Sequence, residues 1–124
     1  MVEDDEFSRE GFSRFLKLKG HHVVDAVNGE QAVAAASRET FDLIFLDVKM
    51  PKRDGIAASQ LIHTTQPEAK IVLMTGYRVD EQMQRRAEGK VAGWLQKPVT
   101  HIALVEMIDR MAADESSGPA AERA

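Results

Sequence analysis

Five side chains in this sequence could do chemistry together if the fold brings them to one place: Glu3, Asp4, Asp47, Thr75 and Lys97. Three carboxylates held within a few Å repel one another, so either a pKa rises sharply or a cation sits between them. Mg²⁺ is the natural cation, because it takes oxygen ligands, keeps several waters and is commonly held by one or two carboxylates plus phosphate oxygens. Asp47 then becomes a nucleophile able to form an aspartyl phosphate. Lys97 supplies a point charge to the phosphoryl oxygens and Thr75 a hydroxyl donor to the same group. Phosphoryl transfer asks little beyond that positioning and neutralisation of charge.

Taken singly, each residue has a plainer explanation. An acidic run such as Glu3 to Glu6 suits a helix N-terminus, where the dipole favours negative charge. Asp47 could cap a loop, and Lys97-Pro98 could be a simple turn. The combination carries the reading.

The elements that must position these residues follow from the apolar pattern. Phe7, Phe12, Phe15 and Leu16 recur at helical spacing, with Gly20 after Lys17 and Lys19 as a helix stop. His21 to Val27 reads as a strand, Asn28-Gly29 as a turn, and Glu30 to Arg38 as a helix with Ala32, Val33 and Ala36 on one face. Leu43 to Leu46 is apolar without alternation, as in a strand buried on both faces of a parallel sheet, and it ends in Asp47. Gly55 to Thr65 is predicted helical with Ile56, Leu61 and Ile62 inward, Ile71 to Met74 a strand, and Val79 to Glu88 a polar helix. Gly93 to Gln96 is a short strand, and Thr100 caps a last helix bearing Leu104, Val105, Ile108 and Met111. The domain is expected over 1–111. The tail over 112–124, rich in Ala, Ser, Gly, Pro and charge, is expected to be disordered.

Alternating strands and helices imply an α/β fold, a parallel sheet with helices on both faces. Ligands bind such sheets beyond the carboxyl ends of the strands. Glu3-Asp4, Asp47, Thr75 and Lys97 all fall at such ends, so they are expected to converge.

Composition narrows the classes. A chain of 124 residues without cysteine has length for one domain and no means for thiol chemistry, disulfides or Cys-ligated zinc. The acidic start is unlike a signal peptide, and no apolar run approaches a membrane span, so a cytoplasmic location and no membrane contact are expected. A formal charge of −4 with scattered Lys and Arg argues against direct nucleic-acid binding. The four histidines have no metal-ligand spacing, and Arg85-Arg86 reads as a solvated helix face.

Val2-Glu3-Asp4-Asp5, the run Leu46-Asp47-Val48-Lys49-Met50-Pro51-Lys52-Arg53-Asp54-Gly55, Met74-Thr75-Gly76 and Lys97-Pro98 together resemble the successive signatures of bacterial two-component response-regulator receiver domains (REC, CheY-like). The resemblance covers Met1 to about Met111. It implies a flavodoxin-like (βα)₅ doubly wound fold with strand order 2-1-3-4-5. It also makes Asp47 the phospho-acceptor, Glu3 and Asp4 the acidic pair that organises Mg²⁺ with the backbone carbonyl of Lys49, and Lys97 the phosphate-pairing lysine. Thr75 is the switch hydroxyl and Trp94 its aromatic partner, with Gly76 and Gly93 leaving the indole room. The implied donor is a sensor histidine kinase or histidine phosphotransferase. Output is expected by protein contact through the fourth helix, fifth strand and fifth helix, a homodimer through that surface being one form. Catalysis of other substrates is not implied, only the chain's own phosphorylation and dephosphorylation.

Two departures stand out. The interval from Asp47 to Thr75 is slightly short, which places a small deletion near Gln66-Pro67. Only Met1-Val2 precede the acidic pair, so the first strand is expected to be unusually short, with the free α-amino group near Glu3 competing modestly with the metal. A degenerate receiver, acting by contact without phosphorylation, is the alternative that this short strand favours. A hydrolase of the haloacid dehalogenase type is disfavoured, because its second Asp, two residues beyond the first, is Lys49 here.

Overall fold

The computed structural model describes residues 1–3, 5–49, 54–76 and 78–117. Its elements in chain order are α1 (Glu6–Leu18), α2 (Gly29–Arg38), β1 (Leu43–Asp47), α3 (Gly55–Thr65), β2 (Lys70–Thr75), α4 (Glu81–Ala87), β3 (Gly93–Gln96) and α5 (His101–Ser117). The strands pair in parallel in the order β1-β2-β3. Val2 extends this sheet by single parallel bridges to Leu46 on one side and Ala26 on the other. The spatial order is therefore the Ala26 segment, Val2, β1, β2, β3, which is the expected 2-1-3-4-5 arrangement.

The sheet is apolar on both faces because helices cover both, and successive residues alternate between them. Val2, Ile44, Leu46, Ile71 and Leu73 pack with Ala36, Ile56, Ile62 and Ala87 of α2, α3 and α4. Met1, Phe45, Val72 and Met74 pack on the other face with Leu16 of α1 and Leu104, Met107 and Met111 of α5.

Side-chain caps begin the helices. Asp5 accepts from Ser8 N (2.9 Å), Asn28 from Gln31 N (2.8 Å), Asp54 from Ala57 N (2.7 Å), Asp80 from Met83 N (2.8 Å) and Thr100 from Ala103 N (3.0 Å).

Several expectations are corrected. The stretch His21–Val27 is not a strand but a single bridge at Ala26, because a first strand of so few residues leaves it almost nothing to pair with. Under that short strand lies a cavity of about 540 Å³, with Val23, Val24, Leu43 and Phe45 among its walls. Phe7 is 88% exposed and Leu61 40% exposed. At about 100° per residue Phe7 stands half a turn from the buried Leu16, and Leu61 falls beside the stripe of Ile56, Ala58, Ser59 and Ile62. Helix α4 starts at Glu81, two residues after Val79, where Asp80 supplies the cap. The last helix does not stop at Met111 but runs to Ser117, and residues 118–124 lie outside the described ones.

Candidate functional site

Backbone pairing sets the two acids side by side. Val2 N donates to Phe45 O at 2.8 Å and Asp47 N to Val2 O at 3.0 Å, while Glu3 N donates to Ala26 O at 3.1 Å. Glu3 thus follows Val2 at the carboxyl end of its bridge, beside Asp47 at the end of β1. Both side chains are buried, Glu3 at 2% and Asp47 at 3% exposure.

Lys97 reaches both from the far side of the sheet. Its backbone N donates to Thr75 O at 2.7 Å, which fixes the start of its reach just past β3. Its Nζ lies 2.9 Å from Glu3 Oε1 and 2.5 Å from Asp47 Oδ2, so one ammonium bridges two buried carboxylates. Burial works against the charged form of Lys97, but hydrogen bonds and charge from Asp47 and Glu3 outweigh it and hold the ammonium above its ordinary pKa.

The remaining acceptors are partly used. Asp47 Oδ1 accepts from Lys49 N at 3.2 Å and Glu3 Oε2 from Asp5 N at 3.1 Å. Thr75 ends β2, is 1% exposed, and stands in register with Gln96. Trp94 stands in register with Leu73, is half-buried, and packs against the cluster on the α2, α3 and α4 face.

Glu3, Asp47 and Lys97 therefore meet, with Thr75 joined to Lys97 through the backbone. Asp4, and residues 50–53 of the motif after Asp47, lie outside the described residues. The α-amino group is not at Glu3 as expected: it donates to Val24 O at 3.1 Å.

The donor set suits a hard divalent cation. Two buried carboxylates share one ammonium, which leaves a formal negative charge and oxygen-only ligands.

Sequence reasoning missed three supports. Arg9 Nη1 donates to Glu3 O at 2.8 Å and steadies the acidic segment from α1. Gln66 Nε2 donates to Ala36 O and Glu39 O, both at 2.6 Å, and its Oε1 accepts from Phe41 N at 2.9 Å, tying the entry of β1 to the end of α3. Arg86, read as a solvated residue, pairs with Asp54. The Gln66 and Arg86 contacts join segments distant in sequence, and the Arg9 contact spans the turn into α1, so no periodic pattern signals any of them.

Comparison with known proteins places the chain among relatives. The response regulator receiver domain family matches residues 1–109. The response regulator protein FleR of Pseudomonas aeruginosa is 37% identical over 127 aligned positions, covering 98% of this chain and 27% of FleR, so the chain spans about a quarter of that relative. A receiver domain protein from Methanospirillum hungatei shares the fold at a TM-score of 0.86 and 24% identity, over 94% of each chain. A response regulator from Burkholderia pseudomallei, solved with a phosphorylated aspartic acid, a calcium ion and citrate, aligns at a TM-score of 0.78 and 26% identity, over 99% of this chain and 70% of that one.

Proposed function

The chain belongs to the response regulator receiver family, and from that premise we propose that it accepts a phosphoryl group on Asp47 from a histidine kinase or phosphotransferase and signals through protein contact. The observation that carries this reading is the Lys97 ammonium bridging Asp47 and Glu3, two buried acids at adjoining strand ends.

In the transfer, an Asp47 carboxylate oxygen attacks the phosphorus of a phosphohistidine. A P–O bond forms as the P–N bond breaks, and the imidazole keeps that electron pair and takes up a proton from water. The product is a mixed anhydride on Asp47. Its negative charge then resides on phosphoryl oxygens, and Lys97, already at Asp47 Oδ2, moves with that charge. The Thr75 hydroxyl, at the neighbouring strand end, donates to one of the same oxygens.

Glu3, Asp4, Asp47 and the Lys49 carbonyl would hold Mg²⁺, which when bound neutralises charge on the phosphoryl oxygens. The Burkholderia protein, solved with both a phosphorylated aspartic acid and a calcium ion, supports this assignment. The reader of the phosphorylated state is a protein that contacts α4, β3 and α5. The domain is a signalling module rather than an enzyme acting on other substrates.

Acetyl phosphate with Mg²⁺ should add one acid-labile phosphoryl group per chain. Chelating the metal should stop that addition, and Asp47→Asn should abolish it. Uptake by Asp47→Asn equal to wild type, or no uptake by wild type, would favour the contact-only alternative or another acceptor.

A further inference from the structure

We propose that Arg86 is a positioning residue that couples α4 to the phospho-acceptor strand through Asp54, a link that rests on the reading of Asp47 given above. The contacts form a continuous chain. Gly55 N donates to Val48 O at 2.7 Å. A Cβ on Gly55 would come within 2.0 Å of Asp47 O, so the backbone at the start of α3 lies directly against Asp47. Asp54, the residue before Gly55, caps α3 and takes two longer-range contacts from one guanidinium: Arg86 Nη2 lies 3.2 Å from Oδ1 and 3.1 Å from Oδ2. The carbonyl of Arg86 accepts from Gln60 Nε2 on α3 at 2.6 Å, so the last turn of α4 is held at two points.

A backbone shift at Asp47 or Val48 therefore moves Gly55 and Asp54, and Asp54 pulls on Arg86. Partial burial works against the Asp54 carboxylate, but the capping bond from Ala57 and then the Arg86 guanidinium outweigh it and hold its pKa below the ordinary value, so it stays charged for this pairing. Of the adjacent arginines, Arg85 turns instead to Glu81 on its own helix at 2.6 Å, which leaves Arg86 the one of the two that bridges elements.

Both partners are about two-fifths exposed, so the coupling is modest and salt-sensitive. An exposed pair of this kind changes an equilibrium by roughly 1.4- to 5-fold, less at high ionic strength.

Amide hydrogen exchange on the full chain tests the link in two arms. Without phosphodonor, Arg86→Met should speed exchange of the Gly55 amide about two- to fivefold. Asp54→Asn, which keeps a capping oxygen, should do the same, the double variant should add nothing further, and 1 M salt should erase the difference. Arg86→Lys, with charge but no fork, should fall between. With Mg²⁺ and beryllium fluoride, the exchange response of the α4 amides should drop by half or more in Arg86→Met, while mass spectrometry shows phosphate uptake from acetyl phosphate unchanged.

Loss of uptake in the wild type would sink the reading of Asp47 and leave the first arm to decide the link. Gly55 exchange unchanged in Arg86→Met, an effect additive with Asp54→Asn, or a full α4 response despite the substitution would overturn it.

Discussion

Trp94 is the only tryptophan in the chain and stands one strand away from Thr75. Its neighbour Gly93 faces Met107 on the α5 side, 3.5 Å from where a Cβ would sit, so Gly93 gives the indole no extra room. Gly76 is open, a Cβ there meeting nothing nearer than Lys97 Cβ at 4.0 Å. In the proposed switch, Thr75 turning toward a phosphoryl oxygen would give the half-buried indole space to bury more of its roughly 200 Å². Beryllium fluoride with Mg²⁺ should therefore change Trp94 emission and reduce its quenching by iodide. Thr75→Ala should weaken that response and Asp47→Asn abolish it; identical spectra with and without the adduct would make Trp94 fixed core. At this scale the sequence was informative about strand-end residues, because a carboxylate or lysine that closes an apolar run has a predictable address. It was silent on Arg86, since a charge on a helix face says nothing about which loop lies opposite.

Among the elements, the turn from β1 into α3 has no slack. The 2.0 Å approach of a Gly55 Cβ to Asp47 O requires backbone movement for any larger residue. Gly55→Ala should thus lower stability by about 2 kcal/mol or more and slow phosphorylation as Asp47 shifts, both read by urea denaturation and phosphate uptake. The first strand gives a second prediction. Burial pushes the Met1 α-amino group down from its ordinary 8.0 to about 6, with the charge of Asp25 opposing part of the fall. Between those values the unfolded chain binds more protons than the folded one, so stability rises from pH 6 to pH 8, by on the order of 2 kcal/mol. Urea midpoints measured in EDTA should show that rise, and acetylation of the α-amino group should flatten it. A midpoint that falls over the same range, or one that acetylation leaves unchanged, would contradict it. The helices were legible from periodicity and capping residues. The lack of a strand over His21–Val27 was not, because a β-branched run becomes a strand only when its neighbour supplies a ladder, and here that neighbour is Met1 to Glu3.

Across the whole molecule, a parallel sheet covered on both faces sends its strand ends to one edge, and this topology brings together groups as far apart in sequence as Glu3 and Lys97. That much followed from the order of apolar runs. The family signature then implies the roles proposed for Asp47, Thr75 and Lys97, which neither spacing nor burial assigns alone. Whether the phosphoryl group resides on Asp47 is read most directly by borohydride reduction of the acetyl phosphate-treated protein, which converts an aspartyl phosphate to homoserine. Peptide mass spectrometry should find homoserine at position 47 and nowhere else. Homoserine at another aspartate, or none in a chain that has taken up phosphate, would contradict the assignment.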